Sequence, residues 1–119
     1  MTKFDPNDWT DVIALAFQYI SDARKGVHDA IKAETEAKSA LESDRKTLII
    51  QGIAGKNAEE REANLRDALS ERYAALETAA AVTASERLSY DLAALEVDRI
   101  KLTIRALELE DSQRREVAK

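Results

Sequence analysis

The stretch "LIIQGIAGKNAEE", residues 48–60, is the place where the composition of this chain changes abruptly. An apolar run meets two glycines and a lysine, and an acidic stretch follows. The whole chain of 119 residues has only three glycines and one proline. Gly52 is suited to end a helix, Gly55 permits a positive φ, and Asn57 is suited to cap a following helix. The stretch therefore predicts a turn between two helices.

The same residues can be compared with the sequence of a phosphate-binding loop. A Walker-type loop needs a glycine, four residues and then Gly-Lys-Ser/Thr, placed between a strand and a helix. Here Ile50 stands where the first glycine belongs, and Asn57 replaces the magnesium-binding hydroxyl. The preceding segment also has a helical pattern rather than that of a strand. We therefore expect no nucleotide at this loop, and the sequence indicates no other cofactor.

The first predicted helix covers residues of about 6 to 50. Asp5 is a suitable N-cap and Pro6 suits the first helical position. Gly26 follows Arg24 and Lys25, a pattern typical of a helix C-terminus. A helix break at Gly26 is therefore an alternative to one long helix that tolerates a glycine in its interior. The helix has one apolar face, with residues mostly three and four apart. Its larger members are Ile13, Phe17, Ile20, Val27, Ile31, Leu41 and Leu48, and alanines at positions 23, 30, 33, 37 and 40 fill the same side.

The second predicted helix covers residues of about 58 to 113, after a turn at 51–57. Asn57 is its N-cap, Glu60 is the possible partner in a capping box, and acidic residues occupy the first turns. No proline or glycine interrupts it. Its predicted apolar stripe is Leu65, Leu69, Tyr73, Leu76, Ala80, Ala84, Leu88, Leu92, Leu95, Leu102, Ala106 and Leu109.

A short turn between two long amphipathic helices predicts an all-α fold, a long antiparallel helical hairpin or coiled coil. The abundance of Ala, Leu, Glu, Lys and Arg fits this class. We predict one helical domain over residues 1–119. In this hairpin Leu48 lies opposite 58–65, and Ile13 lies opposite Val97.

A second apolar stripe runs along the later part of the second helix, beside the first stripe. Its members are Ala93, Val97, Ile100, Ile104 and Leu107. Two apolar faces are more than one partner helix can bury. The preferred prediction is a homodimer in which two hairpins pair into a four-helix bundle; a fold-back of residues 6–25 at Gly26 is the alternative. The predicted oligomer or partner interface is Leu88, Leu92, Leu95, Val97, Ile100, Ile104 and Leu107.

Residues capable of catalysis or metal binding are sparse. His28 is the single histidine and has no converging ligands in the sequence pattern. Glu59, Glu60 and Glu62 are close in sequence, but neighbouring helical residues point in different directions. No Glu-x-x-His pair of a di-metal bundle is present. We therefore expect a non-enzyme with no catalytic, cofactor-binding or metal-binding residues.

The charge balance also limits the classes of partner. The formal net charge is −5 and the chain has no cysteine. An acidic protein is a poor match for nucleic acid, although a basic patch remains an alternative. No segment is long and apolar enough for a membrane span or a signal peptide, so we expect a cytoplasmic protein without a membrane partner. The arginines relevant to DNA or RNA binding lie along the second helix at Arg61, Arg66, Arg72, Arg87, Arg99 and Arg105.

The segments "GIAGKNAEEREANLRDALSERY" and "LSYDLAALEVDRIKLTIRALEL" resemble small coiled-coil proteins encoded by bacteriophages and prophages, of uncharacterised function. The shared features are the GKN turn, the acidic "EER" helix start and a closing helix rich in Leu, Val and Ile. The resemblance covers about residues 48–110 and carries over no catalytic residue. It implies a phage accessory protein in the host cytoplasm. Such a protein would inhibit or redirect a host or phage protein, help assemble a phage complex, or serve phage nucleic-acid metabolism.

Overall fold

The computed structural model describes residues 6–118 of the chain, with side chains from Trp9 onward. Over this range the secondary structure consists of three helices and contains no strand. Helix α1 spans Pro6–Gln51, α2 spans Ala58–Ala68 and α3 spans Ser70–Val117. The fold class is all-α, a helical hairpin, as the sequence predicts.

Helix α1 is continuous through Gly26, so the alternative with a helix break at this residue is wrong. Gly26 is half-buried, and so are Ala23 and Val27 beside it. Burial of this face offsets the roughly 1 kcal/mol that glycine costs in a helix relative to alanine. The fold-back of residues 6–25 is wrong for the same reason. The predicted N-cap, Asp5, lies outside the described residues.

The segment between α1 and α2 is a turn, as predicted. The backbone N–H of Gly52 donates to the carbonyl oxygens of Leu48 at 3.1 Å and Ile49 at 3.3 Å, and its φ is +95°. These bonds satisfy carbonyl groups at the end of α1, and glycine adopts this φ without a steric penalty. Asn57 is the N-cap of α2, because its side-chain oxygen accepts the N–H of Glu60 at 2.8 Å.

The second predicted helix is divided at one residue. Leu69, with φ −106° and ψ 16°, separates α2 from α3. Helical hydrogen bonds still pass this point, since Leu69 N–H donates to Leu65 O at 3.1 Å and Tyr73 N–H donates to Leu69 O at 3.0 Å. The distortion was not predicted because neither glycine nor proline marks it. Helix α3 ends at Val117 rather than near residue 113.

The chain divides into two compact units. One contains Val27–Glu86, and the other contains the chain up to Gly26 together with the segment from Arg87 onward. Within each unit a segment of α1 packs against a later segment that runs in the opposite direction. The single domain over residues 1–119 stays a prediction.

The core of the unit Val27–Glu86 is formed by Leu41, Leu65 and Leu69, which are buried. Further apolar side chains pack against these three. They are Leu48, Ile53, Tyr73 and Leu76. The predicted placement of Leu48 opposite residues 58–65 is confirmed.

The other unit has a narrower apolar core. Ala93, Val97 and Ile100 of α3 are buried, and Ile104 is half-buried. Val97, Ile100 and Ile104 line a small cavity of about 70 Å³ together with α1 residues that include Ile13, as predicted from the hairpin register. We call the α3 side of this contact the seam and define it as Ala93, Val97, Ile100 and Ile104.

Candidate interaction surface

The seven residues predicted as an interface lie on two different faces of α3. Val97 and Ile100, each 7% exposed, belong to the seam. Ile104 and Leu107 are half-buried on the same face. The remaining three side chains are exposed: Leu88, Leu92 and Leu95.

The exposed leucines belong to a longer row on α3. Five leucines of this row are between 57% and 69% exposed. Their positions alternate by four and three residues, with Arg99 and Ala106 at the two intervening positions. This alternation is the heptad spacing of a coiled-coil core. We call the set the leucine stripe and define it as Leu88, Leu92, Leu95, Leu102 and Leu109.

The leucine stripe faces away from α1. A helix turns by about 100° per residue, so the centre of the stripe lies roughly 160° around α3 from the centre of the seam. The burial pattern agrees, because Ile100 is 7% exposed whereas Leu102, two residues later, is 69% exposed. The segment 88–109 therefore has two apolar faces, and α1 covers one of them.

As far as Leu76, the predicted apolar stripe of the second helix is the face that packs against α1. Beyond Leu76 the prediction is wrong, because its residues leave that face. From Leu76 to Leu92 the prediction advanced in four steps of four residues. Each such step rotates about 40° beyond a full turn, so the row drifts roughly 160° to the outer face. The observed contact face passes through Thr83, which is buried, and continues to Ala93. The Thr83 hydroxyl donates to the carbonyl oxygen of Ala79 at 3.1 Å.

One ion pair lies along the leucine stripe. Arg99 Nε donates to Glu96 Oε2 at 3.0 Å, and a second guanidinium nitrogen binds the other carboxylate oxygen. These hydrogen bonds lower the pKa of Glu96 and raise the pKa of Arg99. Both groups are charged at neutral pH, so an ion pair lies at the middle of the leucine stripe.

A second apolar feature lies beside the seam. Val12, Leu15 and Tyr19 of α1 are exposed, with Leu15 the most exposed at 71%. Together with Glu96 and seam residues they line an open groove of about 400 Å³. The sequence prediction missed these three residues because it followed the neighbouring row through Ile13. Their spacing of three and four residues was the available signal.

The unit Val27–Glu86 contains a polar cluster that joins its helices. Arg45 of α1 donates to both carboxylate oxygens of Glu62 at 2.8 Å and to the hydroxyl of Tyr73 at 3.1 Å. The two Glu62 bonds raise the pKa of Arg45, with a smaller contribution from Tyr73, and Arg45 lowers the pKa of Glu62. Arg66 lies over the Tyr73 ring, 5.0 Å from its centroid. The cluster connects α1 to α2 and α3 and presents no unsatisfied polar group.

The described residues show no arrangement suited to a metal ion. No group of three or more His, Cys, Asp or Glu side chains converges within them. His28 is exposed on α1, and Glu59, Glu60 and Glu62 are exposed on α2. Within residues 6–118, none of the helices combines the length and the apolar character required to cross a membrane.

Comparison with known proteins adds no identification. The chain matches no protein-family model, no curated protein and no solved structure.

Proposed function

We propose that the protein is a non-enzymatic accessory protein that acts by protein–protein interaction through the leucine stripe. The observation that carries this proposal is the exposure of five leucines at heptad spacing on the face of α3 opposite the seam. A row of this kind buries its apolar area when another helix packs along it, and each buried leucine contributes roughly 1.5–3 kcal/mol. Contiguous exposed apolar surface is a mark of protein interaction sites.

The setting that we propose is a bacteriophage or prophage. It rests on the resemblance of residues 48–110 to small phage coiled-coil proteins. In that setting the protein would act in the host cytoplasm as an inhibitor or adaptor of a host or phage protein, or as an assembly factor. Homodimerisation through paired hairpins is part of the proposal.

Binding of DNA or RNA through arginines of the second helix is the alternative, and it has weaker support. Arg72 donates to Asp44 at 2.7 Å, and Arg99 is bound to Glu96. Arg66 lies against Tyr73. Arginines that already contact acidic or aromatic side chains are less available to phosphate groups, and the net charge of −5 opposes the approach of a polyanion.

A capture experiment tests the proposal. The tagged wild-type chain is compared with a Leu95→Glu/Leu102→Glu double variant and with Val82→Glu. The control changes an exposed aliphatic residue of the same helix, outside the stripe. We expect a protein partner, including a second copy of this chain, to be retained by the wild type and by Val82→Glu and lost from the double variant. Equal retention by all three proteins would contradict the role of the stripe.

A binding titration tests the alternative. Fluorescence anisotropy with duplex DNA and with single-stranded RNA, at 50 and 200 mM salt, measures any electrostatic binding. We expect no binding tighter than about 10⁻⁴ M at the higher salt concentration. Tighter, salt-dependent binding that is lost in Arg87→Glu/Arg105→Glu would favour the nucleic-acid role.

A further inference from the structure

We infer that the partner of the leucine stripe is the stripe of a second copy of this chain, packed in antiparallel orientation. The inference rests on the proposed function, because it names the occupant of the proposed interaction surface. It is carried by three observations: the heptad spacing of the stripe, the charges that flank it, and its area.

The spacing of the stripe requires a partner with the same repeat. In a coiled coil each core side chain inserts between residues of the facing helix, so both helices need apolar residues at alternating intervals of four and three. The stripe keeps this alternation from Leu88 to Leu109 without a shift, including the positions of Arg99 and Ala106. A second stripe is a partner of matching repeat and matching length.

Arg99 decides against a parallel arrangement in register. It occupies a core position, so in a parallel pair the two Arg99 side chains would face each other. Asp91 would also lie beside Glu96 of the second copy, which adds two contacts between like charges, while Arg105 would lie beside Glu110, which adds two between opposite charges. Like charges brought together in a partly desolvated contact are repulsive.

An antiparallel arrangement separates the two Arg99 side chains. When the two helices pair about a point near residue 97, Arg99 packs opposite Leu95 of the second copy. Its guanidinium group then lies near the second copy's Glu96 as well as its own. Asp91 of each copy lies opposite Arg105 of the other, which forms two ion pairs. Glu96 and Asp98 each face their counterpart in the second copy, and the Arg99 guanidinium groups lie beside the two Glu96 carboxylates.

The apolar area is sufficient for a dimer. Complete burial of a leucine side chain removes on the order of 100 Å² from water, and the stripe leucines are 57–69% exposed. With the flanking side chains, two stripes bury on the order of 1,000 Å². This is close to the lower limit for a specific protein interface. We therefore expect a dimer that dissociates on dilution.

Sedimentation equilibrium over a dilution series tests the partner. The wild type and Val82→Glu are expected to approach twice 13.2 kDa, whereas Leu95→Glu/Leu102→Glu stays at 13.2 kDa. Circular dichroism on the same samples confirms that the double variant remains helical. A helical wild type that stays monomeric at every concentration overturns the inference, and so does a double variant that dimerises like the wild type.

A charge exchange tests the orientation. Asp91→Arg and Arg105→Asp, made separately, each place two like-charge pairs in the antiparallel dimer and are expected to weaken it roughly tenfold. The two substitutions combined restore the opposite charges and the wild-type dissociation constant. In a parallel dimer Asp91→Arg would instead face Glu96 of the second copy and strengthen the association. That result would overturn the antiparallel arrangement.

Spin-label distances give a second measure of orientation. Because the chain has no cysteine, Ser89→Cys and Glu110→Cys each provide a unique labelling site. The antiparallel dimer predicts intermolecular distances of roughly 25 Å for position 89 and roughly 40 Å for position 110, from 1.5 Å per residue. A parallel dimer would give short distances at both sites, near the 10 Å separation of packed helices.

Failure of this inference and failure of the proposed function give different results. If the wild type is monomeric but captures another protein in a stripe-dependent manner, this inference and the homodimerisation part of the proposed function are wrong, whereas the interaction role of the stripe stands. If the wild type is monomeric and captures nothing through the stripe, both are wrong.

Discussion

At the loop between α1 and α2, glycine is required at two positions for different reasons. Gly52 has φ +95° and open space around its Cα. Gly55 has φ +158°, and a Cβ built on it would lie 2.5 Å from Cγ of Arg61 and 2.7 Å from its backbone nitrogen. Asn64 fixes the same loop by donating to the carbonyl oxygen of Ala54 at 2.7 Å. The sequence predicted the turn from these glycines, but the close approach of Arg61 could not be read from it.

Alanine substitution of the two glycines tests this difference. Gly52→Ala introduces only an unfavourable φ, so we expect it to lower the free energy of unfolding by about 1 kcal/mol. Gly55→Ala adds a backbone clash and should lower it by about 2–3 kcal/mol. Urea denaturation followed by circular dichroism measures both. Wild-type stability in Gly55→Ala would show that the loop has room for a side chain.

The contact between Arg45 and Glu62 makes stability depend on pH. Since Arg45 lowers the pKa of Glu62 in the folded protein, the carboxylate stabilises the fold above the ordinary glutamate pKa of about 4.3. That stabilisation is lost as the pH falls through the lowered folded pKa. We expect Glu62→Gln to melt below the wild type at pH 7, with the gap closing as the pH decreases from about 4 towards 2.

The control for this experiment is Glu77→Gln, which removes an exposed carboxylate from α3 in the same unit. Its melting temperature should stay close to that of the wild type across the series. A gap between the wild type and Glu62→Gln that is the same at pH 7 and pH 2.5 would mean that the ion pair does not cause it.

At the scale of the helix, α3 has two apolar faces in its segment 88–109. Both rows could be predicted from the sequence, because each follows intervals of three and four residues. The sequence-based prediction assigned the wrong row to the α1 contact, since steps of four between Leu76 and Leu92 look like one continuous face, although the predicted register already placed Ile13 opposite Val97. The choice is fixed by the register with α1, where Ile13 and Val97 line one cavity.

Two alanine substitutions separate the faces. Ile100→Ala removes a buried seam side chain and is expected to lower the free energy of unfolding by about 2–4 kcal/mol. Leu102→Ala removes an exposed side chain, so the stability of the single hairpin should change by less than about 0.5 kcal/mol. Thermal denaturation at high dilution measures the hairpin alone. Equal losses in the two variants would contradict the assignment of the faces.

At the scale of the whole molecule, we propose that association with a partner completes the fold. Folding of long helices depends on tertiary packing more than on helix propensity, and few side chains are buried in each unit among the residues that the structure describes. The four-helix bundle could be proposed from the sequence because two apolar faces exceed what one partner helix covers. The hairpin fold is confirmed, whereas the bundle stays a prediction.

Association should make stability depend on concentration. If two copies pair, the melting temperature of the wild type rises by a few degrees for each tenfold increase in protein concentration, by mass action. Leu95→Glu/Leu102→Glu should melt at one temperature at all concentrations. A wild-type melting temperature that is independent of concentration would contradict pairing of two copies.

The central claim is that α3 buries one apolar face against α1 and offers the other to a partner. Leucine-methyl NMR with a soluble paramagnetic agent tests it most directly. At high dilution we predict strong relaxation enhancement for the leucine stripe and weak enhancement for Leu41, Leu65 and Leu69. At high concentration the stripe methyls should become protected while the three core leucines stay unchanged. Stripe methyls as protected as the core at high dilution would contradict the claim.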